Sequence, residues 1–167
     1  MGSKDHSFDV VSEINLQEVD NAVTQAQKEL AQRFDFKGSN SSIELDKTEK
    51  TITLKTENEY RLKTLVDLLQ TKCVKRGVSL KALDFQTVET GMVGGSVKQT
   101  VKIQSGIPSE KAKEIVKYIK DLKMKVQPAI QSEQVRVQAP KIDDLQAVIA
   151  LLRKTDFDLD LQFINFR

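Results

Sequence analysis

A chain of 167 residues can form one domain or two small ones, and 39% hydrophobic with 30% charged side chains describes an ordinary folded protein, not a disordered or fibrous one. No apolar run approaches the roughly 20 residues of a membrane span, and the polar start MGSKDHS offers no secretory signal. The lone Cys73 excludes an internal disulfide and the lone His6 excludes a His/Cys zinc cluster, so a cytoplasmic protein without metal or cofactor is expected.

Along the chain, SFDVVS reads as a strand through Phe8, Val10 and Val11. Leu16, Val19, Val23, Ala26 and Leu30 recur at helical spacing, and Asn15 followed by Glu18 fits a capping box. In RFDFKGS, Phe34 lies four residues past Leu30 and is expected in the core. Arg33 and Lys37 suit the carbonyl end of that helix, and Gly38 permits a turn. Phe36 is left over and, with Lys37, makes a candidate anion-and-base corner.

SSIELD and KTITLKT alternate with period two around the turn DKTEK and predict a hairpin. A second helix carries Leu62, Leu65, Val66, Leu69 and Cys73 on one stripe, which makes Cys73 inert core. Lys75 and Arg76 sit at its negative end and Gly77 stops it. LDFQTVE reads as a strand, completing β-α-β-β-α-β.

After GMVGG the pattern restarts. SVKQTVKIQ alternates, Pro108 opens a third helix with Ala112, Ile115, Val116, Ile119 and Leu122, and VQPAIQ with QVRVQA forms a second hairpin. A fourth helix is striped by Ile142, Leu145, Val148, Ile149 and Leu152, with Asp143 and Asp144 in its first turn, and LQFINFR closes as a strand.

This predicts an α+β protein of two ferredoxin-like domains, residues 1–91 and 92–167, each a four-stranded antiparallel sheet with two helices on one face. In a second arrangement GMVGG is the tip of a long hairpin joining 82–90 to 96–104, and a strand is traded between halves.

Residues 1–91 carry 13 basic and 15 acidic side chains, a net of −2, whereas residues 92–167 carry 13 and 9, a net of +4. If Val97, Val101, Ile103, Val135 and Val137 face inward, Lys98, Lys102 and Arg136 project from the open face of the second half. These three are candidate phosphate ligands. Lys113, Lys117 and Lys120 share one flank of the third helix and would guide approach, although pairing with Glu110, Glu114 and Asp121 predicts a salt-bridged solvated flank. The central runs TITLKTE and QVRVQA hold no aromatic, so backbone-led binding is expected over base stacking. No catalytic constellation emerges: a Ser-His-Asp or Cys-His mechanism would have to use His6 in the polar tail. GMVGGS lacks the Gly-Lys-Ser/Thr ending of a phosphate loop.

The combination of SFDVVSEINLQEV, RFDFKGS, KRGV and DDLQAVIALLR…LQFINFR, in this order, resembles the bacterial YajQ family from about Ser7 to Arg167. KTDFDLDLQ after Arg153 departs from its relatives' glycine, a loop change. The resemblance implies two ferredoxin-like domains, no catalysis, and binding of nucleotides or RNA, with some members acting as receptors for a cyclic dinucleotide. Lys37 in FDFKG and Lys75–Arg76 in KRG match basic motifs of that family and join the candidate ligands. The sequence thus points to a non-catalytic nucleotide- or RNA-binding protein. The alternative is a protein–protein adaptor whose sheet faces pack on partners or on copies of itself as a homo-oligomer.

Overall fold

Each predicted strand and helix forms, in the predicted order, in a computed structural model that describes residues 5–167 apart from the side chain of Val93. Residues 1–4 of the polar start lie outside the described residues. β1 spans His6–Val11 and α1 Leu16–Gln32, where the Asn15 side chain accepts hydrogen bonds from the N–H groups of Gln17 and Glu18. The hairpin is β2 (Ser42–Asp46) with β3 (Thr51–Thr56). α2 (Glu59–Lys75) is capped by Asn58 and released at Gly77, which takes φ +76°. β4 (Leu83–Phe85) is shorter than expected. β5 (Val97–Ile103), α3 (Ser109–Asp121), β6 (Gln127–Gln131), β7 (Gln134–Ala139), α4 (Ile142–Lys154) and β8 (Gln162–Ile164) follow. The loop after α4 holds Asp158 at φ +60°, which Asp tolerates better than most residues, and seats Phe157 and Leu159 in the core.

The strands form two antiparallel four-stranded sheets, ordered β2-β3-β5-β4 and β6-β7-β1-β8. Both are ferredoxin-like. In the second, β1 pairs with β7 (Phe8↔Val137, Asp9↔Arg136) and with β8 (Val10↔Phe163), giving β-α-β-β-α-β from β1, α3, β6, β7, α4 and β8. In the first, the place of an opening strand between β3 and β4 is filled by β5 from later in the chain, with Ile52↔Val101 on one side and Leu83↔Ile103 on the other.

The compact units therefore do not follow a cut at residue 91. One comprises residues 14–104; the other is residues 5–13 with Ser105–Arg167, so the first unit is inserted into the second. GMVGG is the tip of the long β4–β5 hairpin, extended by Glu89 pairing with Lys98. Each unit has its own core. That of the inserted unit gathers Val23, Leu30, Phe36, Ile52, Leu54, Leu69, Cys73 and Val101. The outer unit gathers Phe8, Val10, Ile115, Ile119, Val135, Val137, Val148 and Leu152. Burial pushes the Cys73 thiol up to about 11, which keeps it protonated and unreactive.

Candidate functional site

The inward parity predicted for Val97, Val101, Ile103, Val135 and Val137 holds, since all five are buried. Their outward neighbours do not form one cationic face. Lys98 and Lys102 lie on β5 in the sheet of the inserted unit, whereas Arg136 lies on β7 in the other sheet. Divided at the true units, residues 14–104 hold 14 basic and 12 acidic side chains, a net of +2, and the remainder holds 12 of each. The excess of positive charge in residues 92–167 was partly β5, which belongs to the other sheet.

Arg136 is committed to structure. Its Nε donates to Asp9 Oδ1 at 2.9 Å and its Nη2 to Asp9 Oδ2 at 3.3 Å, and Asn165 Nδ2 donates to the same carboxylate at 2.8 Å. Asp9 is 1% exposed. These hydrogen bonds, that of Arg136 first, hold the Asp9 carboxyl below its usual range despite burial. A guanidinium so engaged is not free for a phosphate.

On the inserted unit's open face the arrangement differs. Lys50 C=O accepts from Ile103 N–H at 2.9 Å, so Ile52, Leu54 and Thr56 also bond toward β5. Thr51, Thr53 and Lys55 therefore bond toward β2, and Lys98 bonds toward Glu89. It follows that Lys55↔Lys98, Thr53↔Thr100 and Thr51↔Lys102 are non-hydrogen-bonded pairs of β3 and β5, the kind whose Cα atoms stand only about 4.5 Å apart. Lys55 and Lys98 thus face each other at close range, and among the described residues neither makes an ion pair; Glu89 lies opposite Lys98 on its other side and Ser42 opposite Lys55. Lys102 is exposed, opposite Asp84. Lys55 is not among the residues that the sequence singled out, because only the β3–β5 pairing joins it to Lys98.

Lys113, Lys117 and Lys120 are exposed on α3, on the helix side of their sheet and away from Arg136. The expected pairs with Glu110, Glu114 and Asp121 are not made; the ion pair formed on α3 is Lys111–Glu114 at 3.6 Å. In KRG, Lys75 is exposed, while Arg76 donates to Glu18 Oε1 at 2.9 Å and fastens α2 to α1. Glu18 therefore serves Arg76 and Asn21 and does not close the capping box.

The corner at RFDFKGS is reversed from expectation. Phe34 is 88% exposed and Phe36 is 6% exposed. α1 ends at Gln32, Arg33 turns extended (φ −74°, ψ 126°), and a 3-10 turn over Phe34–Phe36 replaces the helical register. That turn brings Phe36 beneath two guanidinium groups, Arg33 at 5.8 Å and Arg61 at 5.2 Å from the ring centre. Phe36 is therefore unavailable to a base, and Lys37 stands exposed beside it. Phe8 and Phe163 pack edge to face at 6.0 Å on the core side, and Phe166 stacks on Phe8. Neither open face carries an aromatic ring among the paired residues. A hollow of about 520 Å³ beside α2 is walled by Leu62, Val66, Phe85 and Val88, and its charged lining is two acids, Glu59 and Asp67, with Lys63.

Two ferredoxin-like units, one inserted in the sequence of the other, each built on an antiparallel four-stranded sheet, define a small α+β protein. The chain belongs to the family described as nucleotide-binding protein YajQ-like, which matches residues 6–167. It is 57% identical over 165 residues to a protein called nucleotide-binding protein from Carboxydothermus hydrogenoformans, with 99% of each chain covered. It is 53% identical over 161 residues to one of the same name from Geotalea daltonii (96% and 98% covered), and 50% identical over 165 residues to one from Alkaliphilus oremlandii (99% of each).

Proposed function

We propose that this chain is a non-catalytic nucleotide-binding protein whose ligand phosphates lie on the open face of the β2-β3-β5-β4 sheet. The observation that carries this reading is the like-charged pair Lys55↔Lys98, neither of which makes an ion pair among the described residues. Like charges directly opposed across two strands destabilise a sheet, and an anion lodged between them reverses the sign of that interaction. Lys102 extends the cationic track along β5, and the hydroxyls of Thr53 and Thr100 lie between. The name that the relatives bear supports nucleotides as the source of the anion. With no ring on this face, contacts are to phosphate and sugar, so single-stranded RNA, mononucleotides and cyclic dinucleotides are all held through shared phosphate chemistry.

The test is binding of ATP, a cyclic dinucleotide and a short single-stranded RNA at two ionic strengths, to the native chain and to Lys55→Glu/Lys98→Glu. Affinity should fall roughly tenfold or more in the double variant and the salt dependence should flatten. Unchanged affinity for all three ligands in a folded double variant refutes this location.

A further inference from the structure

We propose that the free edge of β2, with the groove between it and α1, takes up the C-terminal end of another protein chain as an added antiparallel strand. The ligand class is an extended peptide with a free terminal carboxylate.

Because Ser42, Glu44 and Asp46 use their backbone groups toward β3, Ile43 and Leu45 direct theirs at the free edge. Among the described residues, of those four groups only the Ile43 carbonyl has a partner, the Gln27 side-chain amide, whose Nε2 donates to it at 2.6 Å. Beside this edge lies a hollow of about 390 Å³, within the range of ligand pockets. Leu30 and Ala31 of α1 form its apolar wall, and the Phe36–Ser39 loop closes it at the start of β2. Lys37 in that loop is exposed and makes no ion pair among the described residues, and Gly38 turns at φ +79° with open space where a side chain would stand. The loop is braced from below, since Ser39 Oγ bonds to Ser41 Oγ at 2.9 Å and Ser41 Oγ to the buried Thr56 Oγ1 at 2.7 Å.

A strand added antiparallel to β2 runs its C-terminus toward the start of β2, where Lys37 and the glycine turn meet the carboxylate. The peptide residue opposite Ile43 places its side chain on the helix side, against Leu30 and Ala31, and so is apolar. The residue opposite Glu44 projects to the open face and is favoured as Lys or Arg. Gln27 occupies one of the two carbonyls that the incoming strand needs and acts as a gate: it blunts the edge when no peptide is present.

The experiment presents full-length protein to an array of octapeptides ending in a basic residue, an apolar residue and one variable residue, each with a free or an amidated C-terminus. The strongest binders are then titrated into 15N-labelled protein. The proposal predicts shifts of the Ile43 and Leu45 amides and of the Gln27 side-chain amide, and about tenfold or greater loss on amidation. Lys37→Ala should weaken binding to a similar degree, and Gln27→Ala should tighten it roughly two- to tenfold. No binder in the array overturns the proposal, and so does a Gln27→Ala variant that binds no better. ATP or short RNA moving the Ile43 and Leu45 amides where peptides do not would assign the groove to nucleotides instead.

Discussion

On the open face of β6-β7-β1-β8, Arg136 lies opposite Asp9 and is bound to it twice, whereas on β2-β3-β5-β4, Lys55 lies opposite Lys98, with Glu89 on the far side of Lys98, and among the described residues neither lysine makes an ion pair. The central strand pair of one unit thus carries an opposite-charge pair and that of the other a like-charge pair. The difference teaches how to separate a cation that holds a fold from one that leaves its charge uncommitted, as the proposed phosphate site requires. In the first, the carboxylate is buried and its pairing is a condition of folding. In the second, the mutual repulsion of Lys55 and Lys98 is borne by the surrounding sheet.

That contrast can be broken by mutation, and the largest effect belongs to the paired cation. Arg136→Met leaves Asp9 buried with Asn165 alone, and the melting temperature should drop by roughly 10 °C in calorimetry; an unchanged melting temperature would erase the distinction between the faces. Next in size is the effect of acid. The Asp9 carboxyl is held below the unfolded value of about 3.9, so its contribution is complete above that pH and disappears as pH falls through the lower folded value. Urea unfolding measured from pH 6 to pH 2 should show this loss, and Asp9→Asn should flatten that part of the profile while lowering stability at pH 6.

The unpaired lysines predict smaller changes of a different kind. Lys98→Gln should reduce the salt slope of RNA binding by about 0.7, the share of one phosphate contact on a single strand. The smallest effect is the most discriminating: the same Lys98→Gln should raise the melting temperature by about 1–3 °C, because a like-charge pair is removed. A fall instead would mean that Lys98 has a structural partner.

The elements were legible because each depends on local periodicity, and the burial of Val97, Val101 and Ile103 follows from parity within β5 alone. Which sheet β5 joins was not legible. A β-α-β-β-α-β string can be closed by the strand before it or by one exchanged from elsewhere, and hydrophobic alternation is the same in both cases. The misplaced charge followed from that. Once β1 is known to pair with β7, Asp9 falls opposite Arg136, but with β1 assigned to the first half the pair was invisible. Phe34 and Phe36 exchanged roles for a local reason: three- and four-residue spacing holds only while the helix continues, and α1 stops at Gln32. The Asn15 cap, the Gly77 stop and the buried Cys73 were readable because each is decided by its own residue type.

The insertion of one unit within the other also orders events during synthesis. Residues 14–104 contain every strand of their own sheet, so they can close while the rest of the chain is still on the ribosome. HSFDVV emerges earlier than any of them, yet its neighbours in β7 and β8 are made last, with His6 waiting for Ala139 and Val10 for Phe163. The first strand translated is thus among the last to be paired, and an apolar segment stays without its sheet for most of the time the chain takes to be built.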